Sequence, residues 1–179
     1  RRVLFRSGLT MLPDGNILTV DATVPNGSEI FNWKTQTWSS AGTTPASLVG
    51  GGEEIGPMVL RPDGTVICFG GGGHNCVYDF KTKTWKLAPD FPVVAGGQLD
   101  CADAPACLLP NGHVLVQTSP GLFLSGSQFF EWDGTKFSPA PNTISGPFSP
   151  SFVGNMLMLP TGQVLYTNIG NDIELYTPA

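Results

Sequence analysis

The sequence predicts an all-β fold assembled from repeated four-stranded sheets. Three observations carry that expectation: a turn string that returns at nearly constant spacing, the same succession of short apolar runs after each return, and a composition suited to strands. The 179 residues include 23 Gly and 16 Pro with only 13% charged residues. Such a chain makes short strands and tight turns rather than long helices. Its length allows one domain with a substantial core.

The turn strings LPDG, RPDG, LPNG and LPTG end at Gly15, Gly64, Gly112 and Gly162, giving spacings of 49, 48 and 50 residues. The Pro presets φ near its helical value, and the Gly supplies the left-handed conformation that a tight hairpin needs. The expected units are 9–50, 51–97, 98–145 and 146–179. In the second unit, Pro57 to Leu60 precedes the turn. Val66 to Phe69, Asn75 to Phe80 and Thr84 to Leu87 follow it, with a glycine run at Gly70 to Gly73. These read as four short strands. The fourth unit reaches Glu174-Leu175-Tyr176-Thr177-Pro178 and stops where its last strand should begin. The expectation is therefore three complete four-stranded units and part of a fourth.

The later strands of each unit align with one another. Phe31-Asn32-Trp33-Lys34-Thr35-Gln36-Thr37-Trp38 matches Tyr78-Asp79-Phe80-Lys81-Thr82-Lys83-Thr84-Trp85, and Phe130 to Phe137 is set against them with the same aromatic spacing. Trp38, Trp85 and Phe137 thus hold one repeat position and Tyr78 another, which assigns them to packing between units. The string ICFGGGGHNCVYDFKTKTW, Ile67 to Trp85, resembles the kelch and galactose-oxidase-like β-propeller superfamily in its apolar strand, its Gly70-Gly71 pair, its Tyr78-Asp79 step and its closing Trp85. The resemblance implies a partial kelch-like β-propeller of three complete blades plus part of a fourth. Closed propellers have roughly 4 to 8 blades, so remaining blades of the same full-length chain are the expected partners. The diglycine occurs in one unit only; Asp21-Ala22, Thr118-Ser119 and Asn168-Ile169 stand at the aligned places. These degenerate repeats point to a divergent microbial relative.

Residues 1–7, RRVLFRS, translate codon for codon from AGACGTGTGCTCTTCCGATCT, a string that resembles a sequencing adapter, and are set aside as an artefact. Without Arg1, Arg2 and Arg6 the nine basic residues fall to six against fourteen acidic ones. That balance excludes electrostatic binding to nucleic acid or anionic lipid. No apolar run is long enough for membrane insertion. P-loop, GxGxxG, GxSxG and HExxH motifs are absent.

Two loop classes follow from the repeat: LPDG-like and KTKT-like hairpins at one end, glycine loops and unit-to-unit crossings at the other. The second end holds the candidate ligand-binding residues Glu53, Glu54, His74, Asp100 and Asp103. Eleven positions before the turn Gly, the equivalent sites are Glu53, Cys101 and Ser151. This predicts an acidic mouth able to hold a cation through oxygen ligands, although no known metal-loop spacing is present. Solvated loop carboxylates are the alternative. Cys68 with Cys76, and Cys101 with Cys107, flank short loops, so two local disulfides are conceivable, with buried free thiols as the alternative. A disulfide reading favours an extracellular or envelope location.

The superfamily resemblance also implies copper radical oxidases, with two His, two Tyr and a Cys-modified Tyr around one copper. His74 and His113 are the only histidines, and the repeat places them at opposite ends. No catalytic residue, metal ligand or cofactor is therefore assigned within this segment. The functional expectation is a non-catalytic binding or scaffold module for a protein or carbohydrate ligand. Its alternative is the propeller part of a galactose-oxidase-like or glyoxal-oxidase-like enzyme, with copper held by residues outside the segment.

Overall fold

A computed structural model describes residues 8–24, 26–95 and 97–178. The adapter reading of residues 1–7 lies outside the described residues. All regular structure described is β apart from three single 3-10 turns. The first sheet contains β1 (Leu9–Met11), β2 (Ile17–Val20), β3 (Gly27–Asn32) and β4 (Thr37–Thr43). The second contains β5 (Met58–Leu60), β6 (Thr65–Phe69), β7 (Asn75–Asp79) and β8 (Thr84–Ala88). A small hairpin, β9 (Val93–Val94) and β10 (Gly97–Gln98), precedes the third sheet. That sheet is β11 (Ala106–Leu108), β12 (Val114–Thr118), β13 (Gln128–Trp132) and β14 (Phe137–Ala140). The last has three strands, β15 (Asn155–Met158), β16 (Val164–Thr167) and β17 (Ile173–Tyr176). Each of the four is an antiparallel meander in chain order.

The turn string produces the same hydrogen bonds each time. The N–H groups of Gly15, Gly64, Gly112 and Gly162 donate to the carbonyls of Leu12, Arg61, Leu109 and Leu159 at 2.9–3.0 Å. All four glycines have φ between 83° and 89°, a region that a side chain disfavours. The hairpins between third and fourth strands repeat too. Asn32, Asp79 and Asp133 each accept two backbone N–H groups from the residues that follow, forming Asx turns.

Register corrects one alignment. Phe31 and Tyr78 pair with Trp38 and Trp85, but Phe137 pairs with Trp132, not Phe130. The third unit's hairpin is two residues shorter. Trp132 takes the Tyr78 position, and Asp133 takes the Asx position of Asp79.

Packing occurs between successive sheets. First strands are neighbours in turn: β1 beside β5, β5 beside β11, and β11 beside β15. One core joins Leu18 and Val20 to Val66, Cys68, Cys76 and Tyr78. A second joins Ile67 and Phe69 to Val114, Val116, Phe130 and Trp132. A third joins Leu115 and Phe129 to Val164 and Tyr166. Alternation along each strand sends neighbouring side chains to opposite faces, so every inner sheet serves two cores. Trp85 fixes the first of these by donating Nε1–H to Ser28 Oγ (3.1 Å) and to the Ala41 carbonyl (3.0 Å). Arg61 clamps second sheet to third, with its guanidinium on the carbonyls of Gly112 (3.1 Å) and Asp133 (2.9 Å).

All four cysteines are free, buried thiols, so neither local disulfide drawn from the spacing is formed. Cys101 and Cys107 face different cores, the second and the third. Cys68 and Cys76 do stand opposite each other across β6 and β7. Their Sγ atoms turn to the carbonyls of Val66 and Ala46 instead. Burial pushes both thiols up, which suppresses thiolate chemistry.

The diglycine has a spatial cause. A Cβ on Gly70 would stand 2.2 Å from the His74 carbonyl oxygen, and one on Gly71 would stand 2.5 Å from that of Glu54. At Gly72 the nearest atom would be 3.6 Å away. Gly71→Ala is expected to cost about 1–3 kcal/mol by overpacking, while Gly72→Ala stays within about 0.5 kcal/mol. Urea denaturation of the two variants checks the contrast.

Candidate functional site

The lead-in segments of the second, third and fourth sheets each make a tight turn before the first strand. Gly51–Glu53 and Ser151–Val153 are 3-10 turns, and the Ala104 N–H donates to the Cys101 carbonyl in the third. The first two of these segments touch: the Asp103 N–H donates to the Ile55 carbonyl at 3.1 Å. The glycine loop joins them, with the Gly70 carbonyl accepting from the Cys101 N–H at 3.1 Å.

This arrangement brings the segments carrying Glu53, Glu54, Asp100 and Asp103 side by side, but their side chains differ in setting. Glu53 and Asp103 are exposed, both with left-handed backbones at φ 65° and 51°. Glu54 is buried, and its carbonyl accepts from the Gly50 N–H at 2.7 Å. Asp100 is only 4% exposed. His74 stands in solvent with Nδ1 2.9 Å from Asp90 Oδ1, both groups more than half exposed, so this pair contributes little. Among the described residues, no three His, Cys, Asp or Glu side chains form a group that could hold a metal ion.

Behind this surface runs a buried polar seam. Asp100 and Ser119 exchange both backbone hydrogen bonds, at 2.9 and 3.0 Å. Ser119 Oγ donates to Ser151 Oγ (2.9 Å) and accepts from the Ser151 N–H (2.7 Å). Cys101 Sγ points at the Gln117 carbonyl, 3.1 Å away. The Gln117 amide donates to Ser127 Oγ (3.0 Å) and to the Tyr166 hydroxyl (3.1 Å). Sequence reasoning singled out Ser151 by its register but missed Gln117, Ser127 and Tyr166 as a network. The available signal was Gln117 closing the apolar run Val114-Leu115-Val116. The equivalents Cys101 and Ser151 both lie against the preceding sheet, whereas Glu53 turns outward.

No nucleophile–base pair emerges from the seam. The serine hydroxyls bond each other and the backbone, His74 is held by Asp90, and His113 is held by Glu131 at the turn end, 2.9 Å away. The Tyr176 hydroxyl donates to the same Glu131. The residues present do not fit the copper set implied by the resemblance, because the histidines occupy opposite ends of different sheets and all three tyrosines lie in inter-sheet cores. Every cysteine is likewise committed to a core.

Burial raises the Asp100 carboxyl to about 6, offset only in part by the Ala102 N–H that donates to its Oδ1. A raised carboxyl favours the fold while protonated, and that contribution fades as pH climbs through the folded value. The wild type should therefore lose roughly 1–3 kcal/mol between about pH 4 and pH 7 relative to Asp100→Asn, which keeps the acceptor without the charge. Denaturation of both proteins across that range checks the sign.

No family model matches the chain, and no curated protein matches it. Among solved structures it is similar to the extracellular domain of a hybrid two component system from B. thetaiotaomicron, with a TM-score of 0.55 and 14% identity over 94% of this chain and 20% of that one. It is also similar to a fungal alcohol oxidase of the AA5 family in complex with copper, with a TM-score of 0.47 and 12% identity over 93% of this chain and 47% of that one. The chain thus spans less than half the length of either structure.

Proposed function

We propose that the four sheets are consecutive blades of a kelch-like β-propeller that acts as a non-catalytic binding or scaffold module. The carrying observation is that the two end sheets keep, on their outer faces, the apolar rows that the inner sheets use for packing. On the first sheet, Met11, Ile17, Phe31 and Trp38 stand in register, at the places held by Leu60, Val66, Tyr78 and Trp85 in the second. On the last sheet the row is Leu157, Leu165 and Leu175. Met11 is 66% exposed and Leu157 60%. Large exposed apolar faces mark an interaction surface, and the register equivalence supports a further blade of the same chain as its occupant.

Ligand recognition falls to the lead-in and glycine-loop end, where Glu53, Asp103 and His74 are exposed on rigid sheets. An extracellular setting is part of the proposal, favoured by the likeness to an extracellular domain. No helix among the described residues is long and apolar enough to cross a membrane. Protein and carbohydrate ligands both suit such a loop surface.

Hydroxyl-radical footprinting tests the blade reading. In a longer gene product, Met11, Trp38, Leu157 and Leu175 should be protected at any concentration, while in the 179-residue chain they label readily when dilute and become protected as the chain self-associates. A 179-residue monomer with a sharp, concentration-independent thermal transition contradicts it. Copper-dependent peroxide release by the longer protein would overturn the non-catalytic reading.

A further inference from the structure

A cavity of about 360 Å³ opens between the first and second sheets, at the turn end and away from the loop surface discussed above. It sits at the low end of the roughly 300–1,000 Å³ typical of small-molecule sites. Its walls come from the first turn (Asp14, Asn16), from β3 and β4, and from Tyr78, Phe80 and Lys83 of the second sheet.

The polar groups of this cavity are incompletely used by the protein. The Tyr78 side chain is buried, 1% exposed, and packs its ring on Trp85 with centroids 5.1 Å apart. Among the described residues its hydroxyl makes no hydrogen bond and is not sealed in the core, so it opens on the cavity as a donor free for solvent or a ligand. Burial and then the nearby Asp14 carboxylate hold that hydroxyl above its ordinary value, so it stays a proton donor. Asn32 spends its carbonyl on the Lys34 and Thr35 N–H groups, which leaves its NH₂ as a second donor. The Lys83 ammonium, on a residue with φ 56°, is in no ion pair among the described residues. Asp14 accepts one bond from Asn16 at each oxygen and retains further acceptor capacity.

We infer that this cavity binds a neutral, polyhydroxylated molecule of monosaccharide size. Three donors and one carboxylate among the lining residues match hydroxyl groups, which both give and take hydrogen bonds. Asp14 disfavours an anion and Lys83 a cation, so neither charge is met without a repulsive neighbour. Phe80, Leu12 and Ile30 supply the apolar wall that a sugar ring's C–H face requires. The inference stands on the first two sheets alone and is independent of what covers the end faces.

Saturation-transfer NMR titration of the full chain with D-glucose, D-mannose and myo-inositol, with inorganic phosphate as the charged comparison, tests it. At least one neutral probe should bind saturably and phosphate should not. Tyr78→Phe, which removes only the hydroxyl, should weaken that binding about tenfold, the equivalent of roughly 1.4 kcal/mol. Lys83→Asn, an exposed change that tolerates the left-handed backbone, should weaken it as well. Saturable binding by none of the neutral probes, unchanged affinity in both variants, or tighter binding of phosphate would each overturn the assignment.

Discussion

Every inner sheet in this chain carries apolar side chains on both faces, and none of them is wide enough to fold over and cover itself. That constraint governs the rest of the architecture. A sheet of three to four strands, each of roughly five residues, can hide its faces only against another sheet, so cores form between sheets and never within one. The second sheet shows this directly: Val66, Cys68, Cys76 and Tyr78 point one way into the first core, while Ile67 and Phe69 point the other way into the second. The strand period of two, applied to a repeated sequence, generates a row of sheets with one kind of interface used again and again.

Polar groups then specify how the sheets sit. At the first interface the indole of Trp85 reaches across to Ser28 and the Ala41 carbonyl. At the second, Arg61 holds two carbonyls on the neighbouring turn and hairpin, and the Gly70 carbonyl takes the Cys101 N–H. At the third, where the aligned residues are Thr118 and Ser119, side-chain hydroxyls replace bare backbone and bond the next lead-in at Ser151.

Much of this was legible in the sequence, because tight turns have strict local chemistry. The glycine of each turn string is read from four residues, and its φ falls within 6° every time, between 83° and 89°. The Trp38, Trp85 and Phe137 equivalence also followed from spacing. The Phe130 alignment failed because aromatic spacing cannot reveal a hairpin two residues shorter; pairing register decides it, and register depends on contacts made across strands. The disulfide expectation failed for a related reason. Proximity in sequence does not say which face a thiol takes, and Cys101 and Cys107 take different ones. The repeat placed the candidate loop segments at one end, but the burial of Asp100 and Glu54 beside the exposure of Glu53 and Asp103 arises from how lead-in segments stack. The seam through Gln117 and Tyr166 joins residues 49 positions apart, beyond the reach of any local pattern.

The most direct test of packing between successive sheets compares two tryptophans that hold one repeat position. Trp85 packs on Tyr78 and is hydrogen-bonded to the first sheet, whereas Trp38 lies on the first sheet's outer face, 42% exposed. If inter-sheet burial is what these positions supply, Trp85→Ala lowers the stability of the 179-residue chain by about 3–5 kcal/mol and Trp38→Ala by less than about 1 kcal/mol. Equal losses in the two variants, measured by chemical denaturation, would contradict the account.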